Sequence, residues 1–311
     1  MQKTQSQGYE SSFLEKIANN STVVGYLLIL PSLIGFIAFY AVPAVRAVLI
    51  SFTEWNLLTE AEFVGIANYV ELWQDDRFWR SLRVTLYYVL WNILLQTAIA
   101  VVMAVIMDRV HDAISAYVRG IMILPWLMPN VIVALLFLWI LDPTLGIMNV
   151  FLNSIGIESQ PFLGSPDQAI ASIAGINIWR HAGYNAILIF AGLKTIPRTL
   201  YEAASIDGAN QWTQFRKITI PLLRPVLVFV LVTSVIGSFQ VFDTIAVTTE
   251  GGPAGSTRVI IFYIFDLVFN RRINMGLATA ASVVLFLILI TVTLVQMRYL
   301  QADQSDLADY S

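Results

Sequence analysis

Residues 194–221 read KTIPRTLYEAASIDGANQWTQFRKITIP, the longest charged and polar interruption in the second half of a chain otherwise made of apolar runs. Its local signals predict a helix–turn–helix. Thr199 and Glu202 stand three apart, the spacing of a capping box that opens a helix. Asp207-Gly208 closes that helix, because glycine adopts the left-handed conformation of a helix end without steric cost. Asn210 is placed to cap a second short helix through Trp212, Phe215 and Ile218, with Pro221 beginning the next element. Apolar segments of membrane-spanning length flank the unit on both sides.

Composition says what such a unit sits on. Of 311 residues, 57% are hydrophobic and only 13% charged, against averages of about 45–50% and 25% in soluble proteins. Mean hydropathy is +0.71. This is the composition of an all-α membrane protein that crosses the bilayer several times. With no cysteine, disulfides and thiolate metal sites are excluded, and His111 and His181 leave no room for a histidine metal cluster. A net charge of −3 gives no footprint for nucleic acid.

Six spans are expected, at about 23–42, 83–107, 118–141, 169–193, 222–244 and 275–297. A polar tail, 1–22, precedes them, with an amphipathic turn around Phe13, Leu14 and Ile17; a second, acidic tail, 299–311, follows. The first run is long enough to cross a ~30 Å core, and no strongly basic segment precedes it, so it reads as an uncleaved span. Residues 51–81 form an external loop with Trp55, Trp73 and Trp79, side chains that favour the headgroup level. Pro125 and Pro129 interrupt the third span, and residues 142–168 form the next external loop. Six spans put both tails on one side. The basic cluster Lys194, Arg198, Arg216, Lys217 and Arg224 faces the cytosol under the positive-inside rule, while Arg46, Arg77, Arg80, Arg83, Arg258, Arg271 and Arg272 fall outside.

Polar residues within spans are costly and point to function. Asn177, Arg180, His181 and Tyr184 are spaced so as to share a face of the fourth span. Arg180 stands fourteen residues before Lys194, about 21 Å at ~1.5 Å per residue, which is close to mid-bilayer. Either it pairs with Asp243 to hold helices together or it forms part of a polar translocation wall. Ser234 and Ser238 lie four apart on the fifth span, with Gln240 and Asp243 beyond them; such serines bond to their own backbone or a neighbouring helix, or face a cargo. Asn130 follows the prolines of the third span.

Glu202-Ala203-Ala204, Gly208 and the Ile218-Thr219-Ile220-Pro221 ending resemble the EAA loop of binding-protein-dependent ABC importers, with Ile220 where the family usually has Leu. Further phrases are similar to the sugar permeases of that family, of the maltose, trehalose and glycerol-phosphate type. They are Phe63-Val64-Gly65-Ile66-Ala67-Asn68-Tyr69; Phe239 to Asp243 with Gly251-Gly252-Pro253; and Met275-Gly276-Leu277-Ala278-Thr279-Ala280-Ala281. The resemblance runs from about residue 25 to 298. It implies a type I ABC importer transmembrane domain over 23–298 in a bacterial inner membrane, with both termini cytoplasmic and residues 194–221 as the coupling loop.

The resemblance also implies partners: a second permease in a heterodimer, two ATP-binding subunits and an extracytoplasmic solute-binding protein. No G-x-x-x-x-G-K-[ST] phosphate loop occurs in this chain. The expectation is therefore a transport subunit that is not an enzyme and binds no cofactor, with ATP and magnesium held by the partner. Glu202, Ala203, Ala204, Asp207, Gly208 and Pro221 would couple to the ATPase. Asn130, Asn177, Arg180, His181, Tyr184, Ser234, Ser238, Gln240 and Asp243 would border the path of a carbohydrate, under an alternating-access scheme. Sugar phosphates and polyols are alternative cargoes, since Arg180 would suit an acidic one. An ion-gradient carrier with Asp243 and Arg180 as coupling charges is the rival class, and a membrane-embedded enzyme, lacking clustered acids or H-E-x-x-H, a weaker one.

Overall fold

The computed structural model describes residues 21–269 and 273–300, and they are built almost wholly of helices. Most of the two tails, including the turn expected at Phe13, Leu14 and Ile17, and the external Arg271 and Arg272 lie outside those residues.

α1 (Ser21–Phe36), a π-helical turn (Ile37–Ala41) and α2 (Val42–Ile50) run end to end. The π turn ends two residues before Pro43, whose ring and missing N–H disturb the preceding helical turn. None of the apolar window in Thr22–Ile50 is buried within the chain. A small hairpin follows, β1 (Thr53–Glu54) against β2 (Glu62–Phe63), antiparallel with Thr53 opposite Phe63. α3 (Ala67–Gln74) then carries buried Asn68, which donates to the carbonyls of Ser51 and Thr53 at 2.9 Å each.

α4 (Asp76–Arg109) and α9 (Ala169–Leu193) form the axis of the bundle. Fifteen of the 25 residues of α9 are buried. Between these helices come α5 (Asp112–Met122), α6 (Leu124–Leu127), α7 (Asn130–Ile140) and α8 (Ile147–Ser154). After α9 come α10 (Arg198–Ile206), α11 (Gln211–Gln214), a second π turn (Phe215–Thr219) and α12 (Ile220–Phe239). α13 (Asp243–Thr248), α14 (Ile260–Phe269) and α15 (Met275–Leu300) complete the described chain. α15 starts against the hairpin: the Met275 amide donates to the Trp55 carbonyl at 2.8 Å, and Gly276 sits so close to the Thr53 carbonyl that a Cβ would collide with it.

Among the described residues, four helical stretches are long and apolar enough to cross a membrane: Thr22–Ile50, Asp76–Arg109, Gln211–Thr248 and Met275–Tyr299. A fifth counts if Asp112–Leu127 and Asn130–Ile140, bent by 95°, are one span. The stretch expected at 118–141 is therefore not a single rod. Pro129 cannot donate a backbone hydrogen bond, and the chain turns there. α9 has the length of a span, but its polar run from Asn177 to Asn185 lowers its apolarity below that of the other four.

The helix–turn–helix differs from expectation in two details. α10 starts at Arg198 with Pro197 as its cap residue, so Thr199 lies inside the helix and the Thr199–Glu202 capping box does not form. Nor does Pro221 begin a separate element. The π turn, which again ends two residues before a proline, fuses α11 to α12. The rest agrees: Gly208 has φ +79°, and Asn210 Oδ1 accepts from the Thr213 amide at 2.9 Å.

Candidate functional site

Apolar packing falls into two clusters along the bundle axis. One gathers Ile93 of α4, Ile178 of α9 and Val235 of α12 with residues such as Leu72 of α3 and Ile260 and Tyr263 of α14. The other gathers Ala100 and Ala104 of α4, Ala186 and Ile189 of α9, and Val230 of α12. Between them lies a polar layer around a cavity of about 330 Å³. Its walls come from α4, α6, α7, α9, α12 and the start of α13.

Eight of the nine residues expected along the path line this cavity: Asn130, Asn177, His181, Tyr184, Ser234, Ser238, Gln240 and Asp243. Positions 177, 181, 184 and 185 recur at helical spacing on one face of α9. Arg180 does not line the cavity. It is about 100° around the helix from His181, which turns it toward the broken third span. Its Nη2 donates to the carbonyls of Trp126 at 3.2 Å and Met128 at 3.0 Å, and its Nε to Met128 at 3.4 Å. The carbonyls before the break have lost the helical donors that a continuous span would supply, and the guanidinium takes their place. The expected Arg180–Asp243 pair is thus not formed. Asp243 Oδ2 instead accepts from Asn130 Nδ2 at 2.8 Å, tying the start of α13 to the start of α7.

His181 is fixed by two neighbours of opposite character. Asn177 O, 2.9 Å from Nδ1, can only accept; Arg180 Nη1, 2.9 Å from Nε2, can only donate. The ring is therefore the neutral tautomer with its hydrogen on Nδ1. Asn177 Oδ1 also accepts from Thr244 Oγ1 at 3.3 Å. Tyr184 stacks on Trp126 with ring centroids 4.5 Å apart and planes 9° from parallel.

The serines of α12 bond across helices rather than within their own. Ser238 Oγ accepts from Asn92 Nδ2 at 2.9 Å; Ser234 Oγ accepts from Gln96 Nε2 at 3.3 Å and Asn185 Nδ2 at 3.2 Å. Asn92, Gln96 and Asn185 are buried wall residues that the sequence reading missed. A signal existed: Asn92 and Gln96 stand at i and i+4 on an apolar helix, and Asn185 continues the face of Asn177 and His181. Asn92 Oδ1 is buried without a donor among the described residues. Trp126 was also missed, because only the bend brings it over α9.

The expected coupling residues gather elsewhere, at the far end of α9 and α12. Glu202 and Ala203 are exposed on α10, as are Asp207 and Gly208 in the turn; Ala204 is half-buried. Pro221 lies in the first turn of α12. Ile206, absent from the expected set, is 87% exposed at the end of α10, an apolar side chain with little cover among the described residues. Internally the unit is braced by Gln214 Nε2 to Ser205 Oγ at 2.8 Å and by Tyr201 with Thr219 at 2.9 Å. Lys194 and Asp108, 2.9 Å apart, link the ends of α9 and α4.

Comparison with known proteins places this geometry in context. A sequence model of the family described as binding-protein-dependent transport system inner membrane component matches residues 96–305. The chain is 31% identical over 290 residues to the trehalose/maltose transport system permease protein MalF of Thermococcus litoralis, covering 93% of this chain and 97% of that protein. It is equally 31% identical over 290 residues to the sn-glycerol-3-phosphate transport system permease protein UgpA of Agrobacterium fabrum, with 93% and 98% covered. Its fold matches a chain of the bacterial alginate ABC transporter, crystallised with an alginate pentasaccharide-bound periplasmic protein, at a TM-score of 0.78 and 26% identity, covering 92% of this chain and 96% of that one.

Proposed function

The chain belongs to the family of binding-protein-dependent transport system inner membrane components, a sugar-type ABC permease of the membrane, and from that premise we propose that it forms half of a carbohydrate import pathway worked by alternating access. In this reading the polar cavity is this subunit's wall of the path. The observation that carries it is connectivity. α9 and α12, two walls of the cavity, are the helices that the exposed 194–221 unit joins. A force applied to α10 reaches both walls through one short, braced element.

Six spans make up the proposed transmembrane domain over 23–298: the first helix, α4, the bent pair, α9, α12 and α15. The polar layer of α9 is compatible with crossing the bilayer because neighbouring helices cover it. Both termini and the 194–221 unit then lie in the cytosol, where Glu202, Ala203 and Ile206 meet one of two separate ATPase subunits that hold ATP and magnesium. The small side chains allow close approach and Ile206 supplies an apolar anchor. A second permease, in a heterodimer, and an external solute-binding protein complete the assembly. Both intramembrane charges that an ion-coupled carrier would use are already engaged within the fold, Arg180 by carbonyls and Asp243 by Asn130.

Cargo-stimulated ATP hydrolysis by the complete complex in proteoliposomes tests the reading. Glu202→Ala and Gly208→Val are each expected to lower stimulation at least about tenfold, with assembly intact. At Gly208 the cause is a φ of +79°, which a β-branched residue does not tolerate. Uptake that proceeds without ATP and follows a proton or sodium gradient would refute it.

A further inference from the structure

We propose that the cavity takes an uncharged, hydroxyl-rich carbohydrate and turns away anionic ones; this deepens the import reading and rests on it. Membership of the family leaves the charge of the cargo open, since one relative is named for trehalose and maltose and another for sn-glycerol-3-phosphate.

Recognition of a phosphate or carboxylate calls for a cation or a set of free donors. Among the described residues lining the cavity there is no lysine or arginine. Arg180, the cation nearest to hand, makes four hydrogen bonds, to the carbonyls of Trp126 and Met128 and to His181. Those bonds hold the break in the third span, so the guanidinium is withheld from the path. His181 accepts from Arg180 and is neutral. The formal charge on the lining itself is the carboxylate of Asp243, and Arg180, outside the lining, lies within electrostatic reach of it. Close to that carboxylate a second anion is repelled.

The other features favour hydroxyls. The uncharged amide and hydroxyl side chains of the lining, among them Asn177, Asn185, Ser234 and Gln240, match sugar hydroxyls as donors and acceptors. The parallel Trp126–Tyr184 pair presents a flat ring face. Aromatic faces are electron-rich, so they suit the C–H face of a sugar ring and disfavour an anion.

The test uses the complete importer with its ATPase and solute-binding protein in proteoliposomes. They are supplied with an equimolar mixture of neutral mono- and disaccharides, hexuronates and sugar phosphates, and the lumen is read by mass spectrometry. The expected result is ATP-dependent accumulation of neutral sugars, roughly tenfold or more over any anionic one. Preferential ATP-dependent accumulation of a hexuronate or sugar phosphate overturns this inference and leaves the importer reading standing. Accumulation indifferent to ATP, or ATP hydrolysis with no carbohydrate accumulated, overturns both. A second arm uses Asp243→Asn with a neutral sugar as internal reference. The neutral-over-anionic ratio is expected to fall about tenfold, and an unchanged ratio overturns the electrostatic basis proposed for the selection.

Discussion

Arg180 is the residue whose role turned most on its surroundings. A mid-span arginine reads as a cargo contact or half of an ion pair, and the structure gives it a third role, donor to the freed carbonyls of a broken helix. Arg180→Ala should leave those carbonyls without donors, at less than the about 1–3 kcal/mol of a fully buried group, because the bonds are exposed at Trp126 and part-buried at Met128. Arg180→Lys should recover only part of the loss, because a tetrahedral ammonium cannot reproduce the planar fork. Thermal unfolding of the detergent-solubilised protein checks the order, wild type above Lys above Ala. Equal stability for all three would refute the clamp.

A second residue-scale outcome concerns Asp75, ahead of α4. Burial alone would raise its carboxyl, but hydrogen bonds from the Arg77 side chain and amide and from the Tyr263 hydroxyl, with the guanidinium charge, hold it below the usual carboxylate range. A lowered value in the folded state means that its stabilisation is complete above the unfolded value, about 3.9, and disappears as pH falls through the folded one. Melting temperature should therefore drop on acidification below about pH 4 more steeply in the wild type than in Asp75→Asn. Parallel curves would contradict the assignment.

At the scale of elements, close packing at glycine decides where the broken span rests. Gly183 of α9 faces the Met122 carbonyl so closely that a Cβ would overlap it. Gly183→Ala should push the end of α5 away from α9, pull Trp126 off Tyr184 and cost ~1–3 kcal/mol as overpacking. A lowered melting temperature together with a raised apparent KM for uptake is the expected signature. Prolines act at this scale too. Pro43 and Pro221 are each preceded by a π turn that lets the helix continue, whereas Pro129 follows an extended residue, Met128, and the chain bends. The sequence shows only that these prolines lie in apolar stretches; whether the helix bulges or breaks depends on which neighbours can satisfy the freed backbone groups.

Over the whole molecule, a polar layer sits between two apolar clusters, and the exposed 194–221 unit connects to that layer through α9 and α12. This separation suits the proposed transport role: the apolar clusters keep the helices packed above and below a polar site, and in that proposal the helices that line the site also receive the force. The first helix stands apart, with none of its apolar window buried by the other described residues. In the proposed assembly, lipid and the second permease cover it.

Much of this was legible beforehand, because its causes are local or periodic. Apolar runs of spanning length marked the long helices, Gly208 and Asn210 marked the turn and cap of the 194–221 unit, and helical spacing put Asn177, His181 and Tyr184 on one face. Tertiary structure alone decided the rest. It chose Asn130 rather than Arg180 as the partner of Asp243, brought Trp126 over Tyr184, and placed Asn92 and Gln96 against Ser238 and Ser234. Those pairings depend on a 95° bend and on contacts between helices far apart in sequence. Hydropathy and spacing report which face of a helix is polar; only packing determines which polar group on another helix meets it.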